Sequence, residues 1–70
     1  MKIEITGWEP GVKTISFARL VRRLGYSLSG AKSVADDMVA RRPTVLEVPD
    51  AMAAEFEAEL ARLGVVFRCL

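Results

Sequence analysis

The sequence predicts an α+β two-layer sandwich, in which three helices cover one face of a three-stranded sheet. Polar and apolar side chains alternate at residues 2–6, and apolar residues recur at helical spacing in three segments further along the chain. With 70 residues, 51% of them apolar, there is room for one core only, so residues 1–70 are expected to be a single domain. One helical layer on one sheet is the simplest way to bury such faces.

The first strand is expected at residues 2–6, where two isoleucines alternate with polar side chains and define one buried face. Glycine and proline mark the loop that follows, which holds the only tryptophan, Trp8. Because a large ring beside a turn finds contacts at the margin of a core, we expect Trp8 to cap the end of the core.

The first helix is predicted from Thr14 to Leu24, and Gly25 suits the left-handed position after its end. The buried stripe follows the helical period and comprises Phe17, Leu20, Val21 and Leu24. The opposite side places an isoleucine among arginines, at Ile15, Ala18, Arg19 and Arg22, with Arg23 nearby. Burial does not explain an isoleucine in that position.

The second helix is predicted from Leu28 to about Arg41, with Ser27 as its N-cap. Its apolar side is expected to comprise Leu28, Ala31, Val34, Ala35, Met38 and Val39. Pro43 disfavours helix before it, and the β-branched residues that follow predict a second strand at 44–48.

Asp50 is the expected cap of a third helix, which runs from Ala51 to Leu63 and ends at Gly64. Its buried stripe is predicted to be Met52, Ala53, Phe56, Leu60 and Leu63. A last strand at 65–70 places two sets of side chains on opposite faces, with Val65, Phe67 and the core residue Cys69 on one and Val66, Arg68 and Leu70 on the other. A right-handed crossover through the third helix makes the second and third strands parallel, which leaves the first strand between them and antiparallel to both. The predicted strand order is therefore 2-1-3.

Composition argues against several kinds of function. The chain has no histidine and one cysteine, which excludes Ser-His-Asp and Cys-His catalysis, an intrachain disulfide and a Cys/His zinc cluster. We therefore expect a non-enzymatic protein without metal or cofactor. Neither a signal peptide nor a membrane-spanning run is recognisable, so a cytoplasmic location is expected. Residues 1–35 hold six basic and two acidic residues, whereas the remainder holds four basic and seven acidic ones.

Residues 25–32, Gly-Tyr-Ser-Leu-Ser-Gly-Ala-Lys, resemble the Gly-Leu-Gly-Leu-x-x-Ala-Lys stretch in the C-terminal domain of the bacterial ribosomal stalk protein. The element order, the acidic third helix, the glycine after it and the closing strand also resemble that domain, over nearly the whole chain. Ser27, Ser29 and Gly30 depart from the motif, as expected of a divergent relative. The stalk protein's N-terminal dimerisation region and hinge have no counterpart here, so we expect a free-standing domain or a fragment.

In this family the first helix and the start of the second bind translational GTPases through apolar and basic residues. An alignment of this chain with that family without gaps would place Arg23 at a position that the family buries. Deletion of one residue in the turn instead places Phe17, Val21 and Leu24 at the family's buried positions. The resemblance then implies a protein-binding module of translation, and the implied partner-binding residues are Ile15, Ala18, Arg19, Arg22 and Lys32.

Two other functions stay open. The same basic face, extended by Arg41 and Arg42, is a candidate for RNA binding, although no Gly-x-x-Gly clamp or paired strand aromatics are present. Residues 64–69 resemble the end of the Clp protease adaptor that recognises N-terminal degrons, but its Asn-Asp pair and pocket histidine have no counterparts. Weak homodimerisation is also expected, because the core is small and the uncovered sheet face carries apolar residues.

Overall fold

A computed structural model describes all 70 residues and has the predicted order β-α-α-β-α-β. The strands and helices are β1 (Lys2–Trp8), α1 (Thr14–Arg22), α2 (Leu28–Val39), β2 (Thr44–Glu47), α3 (Asp50–Leu63) and β3 (Val65–Cys69). The central strand β1 pairs antiparallel with both β2 and β3, which confirms the order 2-1-3. None of the helices is long and apolar enough to cross a membrane.

One core joins the sheet to the helices. Ile3 and Ile5 point from β1 toward the helices and are completely buried, as is Phe17 of α1. Fifteen buried hydrophobic residues form this cluster, and no charged or polar side chain is buried. The predicted stripes of α1 and α3 are confirmed, except that Leu24 and Met52 are only partly buried at the margin.

The first helix ends two residues earlier than predicted. The amide N–H groups of Arg23 and Leu24 donate to carbonyls three residues back, which tightens the end of α1 into a turn. Gly25 follows with a φ of 101°, the left-handed conformation expected after a helix. The predicted cap of the second helix is confirmed, because the Ser27 hydroxyl accepts a hydrogen bond of 3.1 Å from the Gly30 amide.

The second helix also ends early, at Val39, because Arg41 adopts a left-handed backbone with a φ of 59°. The amide of Arg41 donates to the Met38 carbonyl and the amide of Arg42 to the Asp37 carbonyl, which is the Schellman pattern. Glycine is the usual residue at this position. Here the Arg41 guanidinium instead lies 4.6 Å from the centre of the Trp8 ring and donates to the Trp8 carbonyl.

We expect Arg41→Gly to be about 1 kcal/mol more stable than Arg41→Ala, measured by urea unfolding. Both variants lose the contact with Trp8, whereas only glycine relieves the left-handed strain. The difference between the two therefore isolates the strain from the side-chain contact. Equal stabilities would show that the backbone at this position is not strained.

The strand β1 reaches Trp8 instead of ending before it, and a bulge at Thr6 changes which face its last residues occupy. Ile5 pairs with Phe67 but Gly7 with Val66, so Thr6 is an extra residue on β1. Trp8 consequently lies opposite the buried Val65, on the helix-covered face, and its indole N–H donates to the Val39 carbonyl. The ring packs against the core as predicted.

Two residues expected on the buried side of α2 are exposed. Leu28 is 66% and Val39 46% exposed, whereas Ala31, Val34 and Met38 are buried. At the helical period, Leu28 and Val39 lie about 70–90° from the centre of the buried arc. They therefore face the flank of the helix, and their assignment to the core was wrong.

Two predictions at the ends of α3 and β3 were also wrong. Asp50 does not cap α3; it begins the helix after Pro49, and its carboxylate lies 3.2 Å from the N-terminal ammonium. Cys69 is exposed, although the alternation of β3 assigns it to the covered face. The strand leaves the core toward its C-terminal end, because burial decreases along it from the buried Val65 to the half-buried Phe67 and the exposed Cys69.

Candidate functional site

Helices α1 and α2 border a shallow surface groove of about 300 Å³. We call it the α1–α2 groove, and its lining residues are Thr14, Ile15, Ala18, Leu28, Lys32, Ala35 and Asp36. It brings together three of the five predicted binding residues, Ile15, Ala18 and Lys32. The short turn after α1 places the start of α2 beside it, so residues far apart on the two helices meet at one surface.

The most exposed large apolar side chains of the chain both line this groove. Ile15 on α1 is 74% exposed and Leu28 on α2 is 66% exposed. Sequence reasoning found Ile15 but missed Leu28, which it assigned to the core. A usable signal was present, because Leu28 is four residues before Lys32 and such pairs share one face of a helix.

The predicted cations do not all lie in the groove. Lys32 lines it together with Asp36, whereas Arg22 is exposed and lies outside it. Arg19 lines a second groove on the other flank of α1. None of the predicted cations forms an ion pair, whereas Arg42, Arg62 and Arg68 each pair with a carboxylate. Arg19, Arg22 and Lys32 are therefore available to a partner.

The second groove lies between α1 and α3 and has a volume of about 180 Å³. We call it the α1–α3 groove, and its lining residues are Ser16, Arg19, Leu20, Arg23, Glu59, Arg62 and Leu63. Arg23 donates to Glu55 at 3.1 Å, so it is not part of the free basic face of α1. The pKa of Glu59 lies below its ordinary value, mainly because Arg62 donates a hydrogen bond to its carboxylate. The positive charges of Arg62 and Arg23 lower this pKa further.

The single cysteine lies apart from both grooves. Its thiol donates a hydrogen bond to Glu57, and that bond is the main reason that the pKa of Cys69 is raised above its ordinary value. A raised pKa lowers the thiolate fraction at neutral pH, and the thiolate is the reactive form. The contact with Glu57 therefore makes Cys69 less reactive than an exposed thiol without such a contact.

Potential metal ligands are scattered over the surface, and no group of three or more His, Cys, Asp or Glu side chains converges. The chemistry that the surface offers is the combination of an apolar groove with unpaired cations around it. Comparisons of this chain with protein-family models, with curated proteins and with solved structures gave no match.

Proposed function

We propose that this chain is a non-catalytic protein-binding module whose α1–α2 groove docks an acidic, partly apolar segment of a protein partner. The observation that carries the proposal is the pair Ile15 and Leu28, which flank one groove beside the unpaired Lys32. Burying each side chain under a partner contributes about 1.5–3 kcal/mol. An apolar centre with a polar rim is the usual composition of a protein-binding surface.

The resemblance to the stalk C-terminal domain supports a translational GTPase as the partner and a role in translation. That family uses the first helix and the start of the second, and Ile15, Ala18 and Lys32 are the matched positions that line the groove. The free arginines on α1 extend the positive charge beyond the groove. They favour encounter with an acidic partner through long-range attraction.

The lining of the α1–α2 groove favours a protein over RNA. Single-stranded RNA is bound mainly by cations and by aromatic rings on which bases stack. This groove has aliphatic side chains, one lysine and no aromatic ring. It also favours an internal segment over an N-terminal degron, because the ammonium group of a degron needs carboxylates around it and Asp36 is the only one present.

The test is stopped-flow binding of the purified chain to a purified bacterial translational GTPase, at low and at moderate salt. Arg19→Glu/Arg22→Glu is expected to slow association tenfold or more at low salt, with a smaller effect when salt screens the charges. Ile15→Ser is expected to speed dissociation about tenfold at both salt concentrations, because it removes a contact made only in the complex.

A matched control is Lys2→Glu, which reverses one unpaired charge on the far side of the sheet and should leave both rates near those of the wild type. Because Lys2→Glu reverses a single charge, it is compared with the single variant Arg22→Glu on α1. If Ile15→Ser has no effect on dissociation, the groove is not the docking site. RNA binding that is lost at high salt and unaffected by Ile15→Ser would support the RNA function instead.

We also propose weak self-association through the uncovered face of the sheet. Three apolar side chains are exposed there, Val45 by 48%, Val66 by 39% and Leu70 by 60%. The same face carries two basic residues, Lys2 and Arg68, and two acidic ones, Glu4 and Glu47. Two copies related by a two-fold axis can therefore place basic side chains of one opposite acidic side chains of the other, as a self-complementary interface requires.

Sedimentation velocity should show a monomer at low micromolar concentration and a growing dimer fraction toward millimolar concentration. Val66→Lys should abolish the dimer, because it places unmatched positive charges across the pairing surfaces. The matched control is Val39→Lys, which makes the same exchange on α2. A pure monomer at high concentration would contradict the proposal.

A further inference from the structure

The α1–α3 groove gathers three guanidinium groups around one small concavity. Arg19 on α1 and Arg23, the residue after α1, are four residues apart and lie on the same side of the helix. Arg62 on α3 faces them across the groove. Ser16 adds a hydroxyl, and Glu59 is the only acidic residue in the lining. The groove has no exposed apolar residue like Ile15, since its leucines are Leu20 and Leu63, which are 5% and 3% exposed.

Most of the hydrogen-bond donors in this groove are unused. A guanidinium offers five N–H donors. Arg19 makes no ion pair or side-chain hydrogen bond, Arg23 donates from one nitrogen to Glu55, and Arg62 donates from two nitrogens to Glu59. The two buried leucines form an apolar floor, and an ion bound above such a floor interacts more strongly with nearby charges than it does in open water.

We propose that the α1–α3 groove binds the phosphate groups of a phosphorylated small molecule. A tetrahedral phosphate presents oxygens in several directions, so guanidinium groups on different sides of it can each donate a pair of N–H bonds to two of its oxygens. The acceptor sites of a carboxylate lie in one plane on two oxygens, so it meets donors that converge from several directions less completely than a phosphate does. The site is independent of the α1–α2 groove, because the two lie on opposite flanks of α1 and share no lining residue.

The test is a titration of the ¹⁵N-labelled chain with inorganic pyrophosphate, at constant ionic strength set with sodium chloride. The Nε–Hε resonances of Arg19, Arg23 and Arg62 should shift and saturate, while those of Arg42 and Arg68 should not. Arg19→Gln should weaken binding about tenfold, the effect of losing one charge-assisted hydrogen bond. Arg22→Gln is the matched control, since it removes the same charge from the same helix outside the groove.

A second pair of variants tests the acid in the groove. Glu59→Gln should strengthen pyrophosphate binding severalfold, because it removes the only negative charge in the lining and frees the donors of Arg62. Glu57→Gln removes a carboxylate from the same helix outside the groove and should change the affinity little. Ile15→Ser should leave pyrophosphate binding unchanged, which separates this site from the protein-binding proposal.

A parallel titration with ADP identifies the source of the phosphate. Tighter binding of ADP than of pyrophosphate would indicate a nucleotide ligand, and equal binding a free polyphosphate; each supports a phosphate site. Two results would overturn the proposal. One is the absence of saturable shifts at the three arginines. The other is an equal loss of affinity in Arg19→Gln and Arg22→Gln, which would indicate diffuse attraction to α1.

Discussion

Phe17→Ala should remove about 3–5 kcal/mol from the free energy of unfolding, because it opens a cavity where a completely buried ring now packs. A domain of this size has a total stability of about 4–10 kcal/mol. The variant should therefore be largely unfolded at moderate urea concentrations where the wild type is folded. Circular dichroism during urea titration measures the difference.

Phe67→Ala is the matched control, because it makes the same chemical change at a half-buried position on β3. Its loss of stability should be about half that of Phe17→Ala or less, since less apolar area is removed from the core. Backbone preferences work against this expectation, because alanine favours the helix at Phe17 and disfavours the strand at Phe67. Equal losses at both positions would contradict the observed burial.

Leu28→Ser should weaken binding to the protein partner by about tenfold or more while leaving the free energy of unfolding within about 0.5 kcal/mol of the wild type. The reason is that Leu28 is exposed in the free chain and borders the groove in which a partner would bury it. A core position would respond in the opposite way, with a loss of several kcal/mol in stability. Urea unfolding and the GTPase binding assay give both readings on one sample.

The control for this variant is Val39→Ser on the same helix. Val39 is also apolar and exposed but does not line the α1–α2 groove. It should leave both stability and partner binding close to the wild type. Equal weakening of binding by Val39→Ser and Leu28→Ser would show that the contact surface is not confined to the groove.

Local patterns in the sequence were sufficient for the architecture. Alternation at Ile3 and Ile5 identified the buried face of β1, and the stripe containing Phe17, Leu20 and Val21 identified that of α1. Ser27 and Gly25 set the turn between α1 and α2 through a side-chain hydrogen bond and a left-handed backbone. These features depend on residues a few positions apart, so they can be read without knowing what packs against them.

The candidate site was predictable in part. Periodicity identified Ile15 as an exposed apolar residue, because its position on α1 is opposite the buried stripe. Periodicity could not predict that Arg19 lines a different groove from Ala18 and Lys32, because the grooves on the two flanks of α1 are formed with different neighbouring helices. It also grouped Arg23 with the free cations, although Glu55 of α3 pairs with it.

The sequence alone determined the element order and most of the core of this protein, because the periods of helices and strands mark which side chains must leave water. The strand order then followed from the right-handed crossover through α3. Tertiary structure decided how much of each helix and strand is covered by its neighbours. It left Leu28, Val39 and Cys69 exposed. It also decided the bulge that turns Trp8 onto the helix-covered face and the division of the basic residues between two grooves. These outcomes depend on which elements meet across the core, and residues distant in the chain determine them.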